Sequence, residues 1–305
     1  MARASAAAKS AATPSGLRQR AEQLAALLPP LLVAAERIAS TVAQGVHGRR
    51  RVGTGDAFWQ FRRYQAGDSA TAIDWRQSAK RERLYVRQNE WEAAESVWLW
   101  RDGSPSMAWH SEFGQIDKKD RATLLLLALA ALLIRGGERV ALLGEGRLAA
   151  SGRAALERLA QPFILSRGVA VDESSVPPPA ELPRHAQVVL ISDFLSPLTD
   201  IDAAVRRFAG AGVKGHLLQI LDPAEQDLPY LGRTRFRGLE GESPFLVSRV
   251  ETLKEDWSKR LSDRHDALKL LAQRSGWTFA LHRTDHPPQT ALLALYGALS
   301  GDVAR

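Results

Sequence analysis

From residue 96 to residue 299 the chain alternates short, nearly unbroken apolar runs with longer segments of helical period. Ser96–Trp100 (SVWLW), Arg139–Leu143, Gln187–Ser192 (QVVLIS), His216–Leu221 and Trp277–His282 read as strands. They lack in/out alternation, so they are of the kind buried on both faces. Lys118–Arg135, Arg153–Leu165, Thr199–Ala209, Glu255–Arg274 and Pro288–Leu299 read as helices, the first closed by Gly136-Gly137 and the third by Gly210 and Gly212. Strands separated by helices of this length pair in parallel through right-handed crossovers. The predicted fold class is α/β, a doubly wound, mostly parallel sheet with helices on both faces. Residues 222–254 interrupt the pattern, and Pro223, Pro229, Gly232, Gly238 and Pro244 predict a loop or small β insertion there.

The first third has a different texture. Residues 1–16 are Ala/Ser-rich and read as a disordered tail, and residues 17–45 as a helical segment. Leu24, Leu27, Leu28, Leu31, Leu32 and Ile38 form its apolar stripe, broken at Pro29-Pro30. This segment either packs on the domain or lies on a membrane surface. Residues 46–92 are rich in Arg, Trp, Gly and Asp, and Ala57–Tyr64 and Leu84–Gln88 read as short strands. Residues 93–305 form the sheet domain, with its insertion at 222–254.

Charge follows this division. The net charge of the 305 residues is +7, and residues 1–92 hold 15 Lys and Arg against 8 Asp and Glu. Residues 93–305 hold 26 against 26, so the excess lies wholly in the first third. A basic segment attracts nucleic acid, anionic lipid or an acidic protein. The arginines of 47–92 are interleaved with acids rather than clustered, which argues against a nucleic-acid groove. Cys is absent, which excludes disulfides, a thiolate nucleophile and Cys-ligated zinc or iron–sulfur centres. The apolar runs Leu24–Val33 and Leu124–Ile134 fall short of the roughly 18–20 residues of a membrane span. The expected location is the cytoplasm.

Asp102-Gly-Ser104-Pro-Ser106 directly follows the first apolar strand, and Asp193 directly follows the third. In doubly wound sheets ligand sites lie beyond the carboxyl ends of the strands. A carboxylate with two hydroxyls at alternate positions offers hard oxygen ligands suited to Mg²⁺. The alternative is that Asp102 and the serines only cap the turn that follows. His282 and His286 flank Asp285 before Pro287-Pro288, which places them on a surface strand end and loop rather than on a metal-binding helix face. Gly53-Thr-Gly55 lacks the Gly-Lys-Ser/Thr of a phosphate loop, and no Gly-x-Ser-x-Gly elbow occurs.

The Asp102-x-Ser104-x-Ser106 loop resembles the metal-ion-dependent adhesion site of von Willebrand factor A-like domains, with Asp193 matching its third-loop acid. The Thr usual in that site does not appear. Ala154 stands roughly where it would be, with Ser151 the nearest hydroxyl. The upstream block resembles the bacterial domain of unknown function 58 (DUF 58) family. It reads Gly53-x-Gly55-Asp-Ala-Phe58, Phe61-Arg-Arg63-Tyr64-x-x-Gly67-Asp68, Ile73-Asp74-Trp75-Arg76-x-Ser78-Ala79 and Leu84-Tyr-Val86-Arg87, with Lys80 where Arg is usual. The resemblance implies a protein that acts with MoxR-type AAA+ ATPases, or with other von Willebrand A-like proteins, in assembling or activating client complexes.

The expectation is thus a non-enzymatic adaptor. Asp102, Ser104, Ser106 and Asp193 would hold Mg²⁺ bridging to a partner carboxylate. Arg63, Asp68, Asp74, Trp75, Arg76 and Arg87 would face a partner, or else lock the small β segment by bidentate ion pairs. The alternative function is nucleic-acid binding through the basic N-terminal third, with an affinity that falls steeply with salt. A metal-dependent hydrolase ranks last, because no general base is evident beside Asp102 and Asp193.

Overall fold

The computed structural model describes residues 32–43, 58–63, 78, 85–89, 96–165, 174–183, 185–239 and 243–300. Its centre is a five-stranded, all-parallel sheet. In chain order its strands are β3 (Ser96–Arg101), β4 (Arg139–Leu142), β5 (Gln187–Ser192), β6 (Lys214–Leu221) and β9 (Thr278–Arg283), and in space they run β4-β3-β5-β6-β9. The helices are α1 (residues 32–43), α2 (Lys118–Arg135), α3 (Arg153–Leu165), α4 (Leu198–Gly210), α5 (Pro223–Asp227), α6 (Lys254–Arg274) and α7 (Pro288–Leu299). Two further strand pairs are antiparallel: β1 (Phe58–Arg63) with β2 (Tyr85–Asn89), and β7 (Thr234–Phe236) with β8 (Phe245–Val247).

Alternate residues of each strand feed two separate cores. Val97, Leu99, Val189, Ile191, Leu218 and Ile220 face α1, α2, α3 and α7. Trp98, Trp100, Val188, Leu190 and Leu217 face α4 and the last turns of α6. Both sheet faces are therefore covered, which is why the strands show no polar alternation. The run Leu124–Ile134 is explained the same way. Leu125 to Ala130 are wholly buried because α2 has neighbours on nearly every side, and a helix apolar all round belongs in a core. Each fully buried Leu there contributes about 2 kcal/mol of transfer free energy.

Residues 32–43 resolve one alternative. Ala35, Ile38, Ala39 and Val42 are buried in the α2/α7 core, and Arg135 Nη1 donates to Ser40 Oγ at 3.0 Å. This stretch packs on the domain; the break at Pro29-Pro30 lies outside the described residues. Among the described residues no helix is long and apolar enough to cross a membrane.

The strands expected near residues 57–64 and 84–88 form β1 and β2, with a register irregularity between Phe58 and Gln60. The break at 222–254 contains α5, the β7–β8 hairpin and a single 3-10 turn, Val250–Leu253. On β6, Gly215 admits a neighbour that no other residue would: an added Cβ would lie 2.2 Å from the Trp277 ring. The indole fills that space and its Nε1 donates to Val213 O at 3.1 Å. One expectation is corrected. His282 is buried, not a surface strand end, because the strand continues to Arg283 and His282 stands in register with the buried Ile220 of β6. His286 is exposed in the loop that follows.

Candidate functional site

The carboxyl ends of β3, β5 and β6 meet at one rim. Asp102 extends the ladder, its N–H donating to Ile191 O at 2.9 Å. Its side chain is wholly buried. Oδ1 accepts from Ser104 N–H at 2.7 Å and Oδ2 accepts from the Ser192 hydroxyl at 2.6 Å. Ser192 Oγ in turn accepts from Phe194 N–H at 2.8 Å. Phe194 has φ 52°, a left-handed conformation that a bulky residue adopts only when its surroundings impose it. Ser192 imposes it from one side. Arg264 of α6 imposes it from the other, with Nε donating to Phe194 O at 2.7 Å and Nη2 bonding the carbonyls of Phe194 and Ser196.

The serines run in one direction. Ser106 Oγ donates to Asp193 Oδ2 at 2.8 Å, which uses its only proton. Ser104 Oγ lies 3.0 Å from Ser106 Oγ and therefore donates to it. The four residues predicted to share a site, Asp102, Ser104, Ser106 and Asp193, are thus brought together. The cap-only alternative is incomplete, because Ser106 reaches across to another loop and Ser104 makes no side-chain bond to the 3-10 turn Pro105–Met107.

At the centre stands a residue that the sequence reading passed over. Lys118, at the start of α2, is wholly buried, and its Nζ donates to Asp193 Oδ2 at 2.9 Å and Glu225 Oε1 at 2.5 Å. Burial by itself disfavours the ammonium; Asp193 and Glu225 together outweigh it and hold the Lys118 pKa above its usual value. Burial pushes the Asp102 carboxyl above the usual carboxylate range; the bonds from Ser104 and Ser192 offset part of this, and the nearby Asp193 adds to it.

The third loop is fixed by Asp222. Its Oδ1 accepts from Ala224 N–H at 2.8 Å and Ser111 Oγ at 2.5 Å, and its Oδ2 from Ser111 N–H at 2.9 Å. Gly114 permits this: a Cβ there would fall 2.3 Å from Asp222 Oδ2. Asp222 and Glu225 form a capping box on α5. Gln219 Nε2 donates to Asp193 O at 2.8 Å and closes the set. The Asp-Pro-x-Glu spacing was a legible sign of that cap. Lys118 also left a trace, since a lysine in a helix's first turn opposes the macrodipole and needs a reason.

The arrangement does not suit a divalent ion. Asp193 Oδ2 already accepts from an ammonium, and a doubly charged ion about 4 Å from that ammonium meets roughly 8 kcal/mol of repulsion at an effective dielectric of 20. Ser151 and Ala154, where the missing Thr was sought, do not reach the rim: Ala150 pairs antiparallel with Val140, so the chain has turned back towards the amino end of the sheet before α3 begins. Among the described residues no group of three or more His, Cys, Asp or Glu side chains is placed to hold a metal.

Of the six residues expected to face a partner, two are described. Arg63 and Arg87 lie on β1 and β2, with Arg63 opposite Tyr85 and Arg87 opposite Phe61. Asp68, Asp74, Trp75 and Arg76 lie outside the described residues.

A family profile described as "Protein of unknown function DUF58" matches residues 60–267. No curated protein matches the chain in sequence. Among solved structures, the chain is similar to an aerotolerance-related membrane protein from Bacteroides fragilis NCTC 9343 carrying multiple mutations to serine. The identity is 15% and the TM-score 0.40, covering 68% of this chain and 99% of that one. It is also similar to the conserved hypothetical protein BatB from Bacteroides thetaiotaomicron, at 15% identity and a TM-score of 0.39, covering 69% of this chain and 100% of that one.

Proposed function

The chain belongs to the DUF58 family, and on that premise we propose that it is a non-enzymatic cytoplasmic adaptor whose rim docks a MoxR-type AAA+ ATPase or its client. One observation carries the reading. Three loops from β3, β5 and β6 are tied to one another by buried bonds and present exposed apolar side chains beside the tie. Phe113 is 45% exposed and Leu195 47% exposed. Phe113 packs edge-on against Tyr230 of the insertion, with ring centroids 6.3 Å apart. Rigid loops bearing aromatic anchors bind a partner without first having to be ordered. The rim's hydroxyls favour recognition over chemistry, because Ser104 and Ser106 spend their protons in a chain that ends on Asp193. None is poised beside a free base.

The test uses the full chain as bait, with bound proteins identified by mass spectrometry. The expected result is enrichment of an AAA+ ATPase by wild type and its loss with Phe113→Asp/Leu195→Asp, a double variant that keeps the wild-type circular dichroism and melting temperature. Equal capture of that ATPase by the double variant, or no AAA+ protein bound by wild type, would sink the reading.

A further inference from the structure

We propose that the ε-ammonium of Lys118 is the resident cation of this rim, and that it takes the place a divalent ion would hold. The inference does not depend on the adaptor reading. It rests on two observations and one chemical argument.

The first is position. The ammonium bonds Asp193 and Glu225, and through Asp193 it meets the chain running from Ser104 to Ser106. It therefore bonds one of the four residues that would have been an ion's ligands and, through it, is linked to two more. It joins the loop after β5 to α5 after β6, while its own helix carries the loop after β3. That is the task of a cation shared between loops.

The second is that nothing else explains the placement. A wholly buried lysine is rare. One in the first turn of a helix also faces the positive end of the helix dipole. Lys118 is both, directly after the N-cap residue Asp117. Only the carboxylates of Asp193 and Glu225 compensate it. The residue has been drawn into the acidic rim rather than left to reach solvent.

The third is the chemistry of the cation itself. A tethered ammonium needs fewer partners than a divalent ion. Its three N–H groups ask only for acceptors, whereas Mg²⁺ requires near-octahedral oxygen coordination. A covalently attached cation also cannot be chelated or lost, so the rim keeps its shape at any metal concentration.

The full chain is titrated with Mn²⁺ and free Mn²⁺ is read by electron paramagnetic resonance. Wild type is expected to take up no stoichiometric Mn²⁺ up to ~1 mM, and its melting temperature is expected to be the same in EDTA and in Mg²⁺. Lys118→Ala opens the space and leaves the carboxylates uncompensated. It is expected to bind one Mn²⁺ at least ~10-fold more tightly than wild type and to gain melting temperature with added metal. Stoichiometric Mn²⁺ on wild type that is lost in Asp102→Ala would overturn the proposal. So would a folded Lys118→Ala that takes up no metal. Should that variant not fold, the wild-type titration decides alone.

Discussion

The two ends of the central sheet solve the same problem differently. At the carboxyl ends of β5 and β6 a buried ion-pair network joins the elements: Lys118 bridges Asp193 and Glu225, with the carboxyl groups of Asp102 and Asp222 buried beside them. At the amino ends of the same strands the buried polar groups are neutral. His216 Nε2 donates to Gln187 Oε1 at 3.1 Å, and Nδ1 accepts from the Thr278 hydroxyl at 2.8 Å. Gln187 Nε2 points to Leu299 O, which fixes its amide and hence the imidazole tautomer. Burial, with Lys214 adding, lowers the His216 pKa to about 4, so the ring is uncharged at neutral pH. The difference follows from what each end must hold. At the amino end the bonds join adjacent strands of one sheet, Gln187 on β5, His216 on β6 and Thr278 on β9, and neutral bonds suffice. At the carboxyl end they join elements of different kinds, Lys118 on α2, Asp193 in the loop after β5 and Glu225 on α5. A buried charge pair gives placement more than net stability, since its desolvation cancels much of its attraction.

The comparison is broken most severely at Lys118. Lys118→Met keeps the stem and removes the charge, leaving Asp193 and Glu225 buried without a cation. The expected loss is about 3–5 kcal/mol, read as a lower urea midpoint with unchanged slope. A loss under ~1 kcal/mol would show that the carboxylates simply take up protons.

The next effect belongs to the neutral end and to His282. Burial, with Arg121 and His286 adding, also lowers the His282 pKa to about 4. A histidine whose folded pKa lies below its unfolded value near 6.5 binds its proton more readily when unfolded. Its stabilisation is complete above ~6.5 and is lost as pH falls towards 4. Each ring is expected to contribute about 2–3 kcal/mol to that loss. Denaturation curves between pH 7 and pH 4 measure the sum, and the imidazole resonances assign it. Rings that titrate near 6.5 in the folded protein would refute it.

The smallest effect sharpens the charged end. Among the described residues Asp102 forms no salt bridge, and its raised pKa means that folding disfavours the ionised form. Asp102→Asn keeps an acceptor for Ser104 N–H, and is expected to be neutral or stabilising by up to ~1 kcal/mol at pH 7. The sign is definite. The advantage is full above the folded pKa and vanishes below the ordinary carboxylate range. A variant less stable than wild type at pH 7, in the same denaturation assay, would show that the Asp102 charge holds the rim together.

Much of this molecule was legible in the sequence. Lys118–Arg135, Arg153–Leu165, Gln187–Ser192 and Pro288–Leu299 keep their expected bounds, and the other strands and helices of the sheet domain shift by a residue or two. Asp102, Ser104, Ser106 and Asp193 could be placed because they lie on two loops that directly follow strands, and parallel strands end on the same side. Lys118, Ser111, Asp222 and Glu225 could not. Lys118 lies 75 residues from Asp193 and 107 from Glu225, and Ser111 lies 111 from Asp222. His282 was misread because its burial depends on its place beside Ile220 in the sheet and on the core that covers that face, and not on its neighbours in the chain.

Hydrophobic period and turn residues are local properties, and they determined the strands, the helices, the parallel order and the rim on which polar groups would gather. Which charge meets which was decided only by folding. Whether a lysine reaches water or a buried carboxylate depends on groups a hundred residues away, and on a desolvation cost that exists only once the core has closed around them.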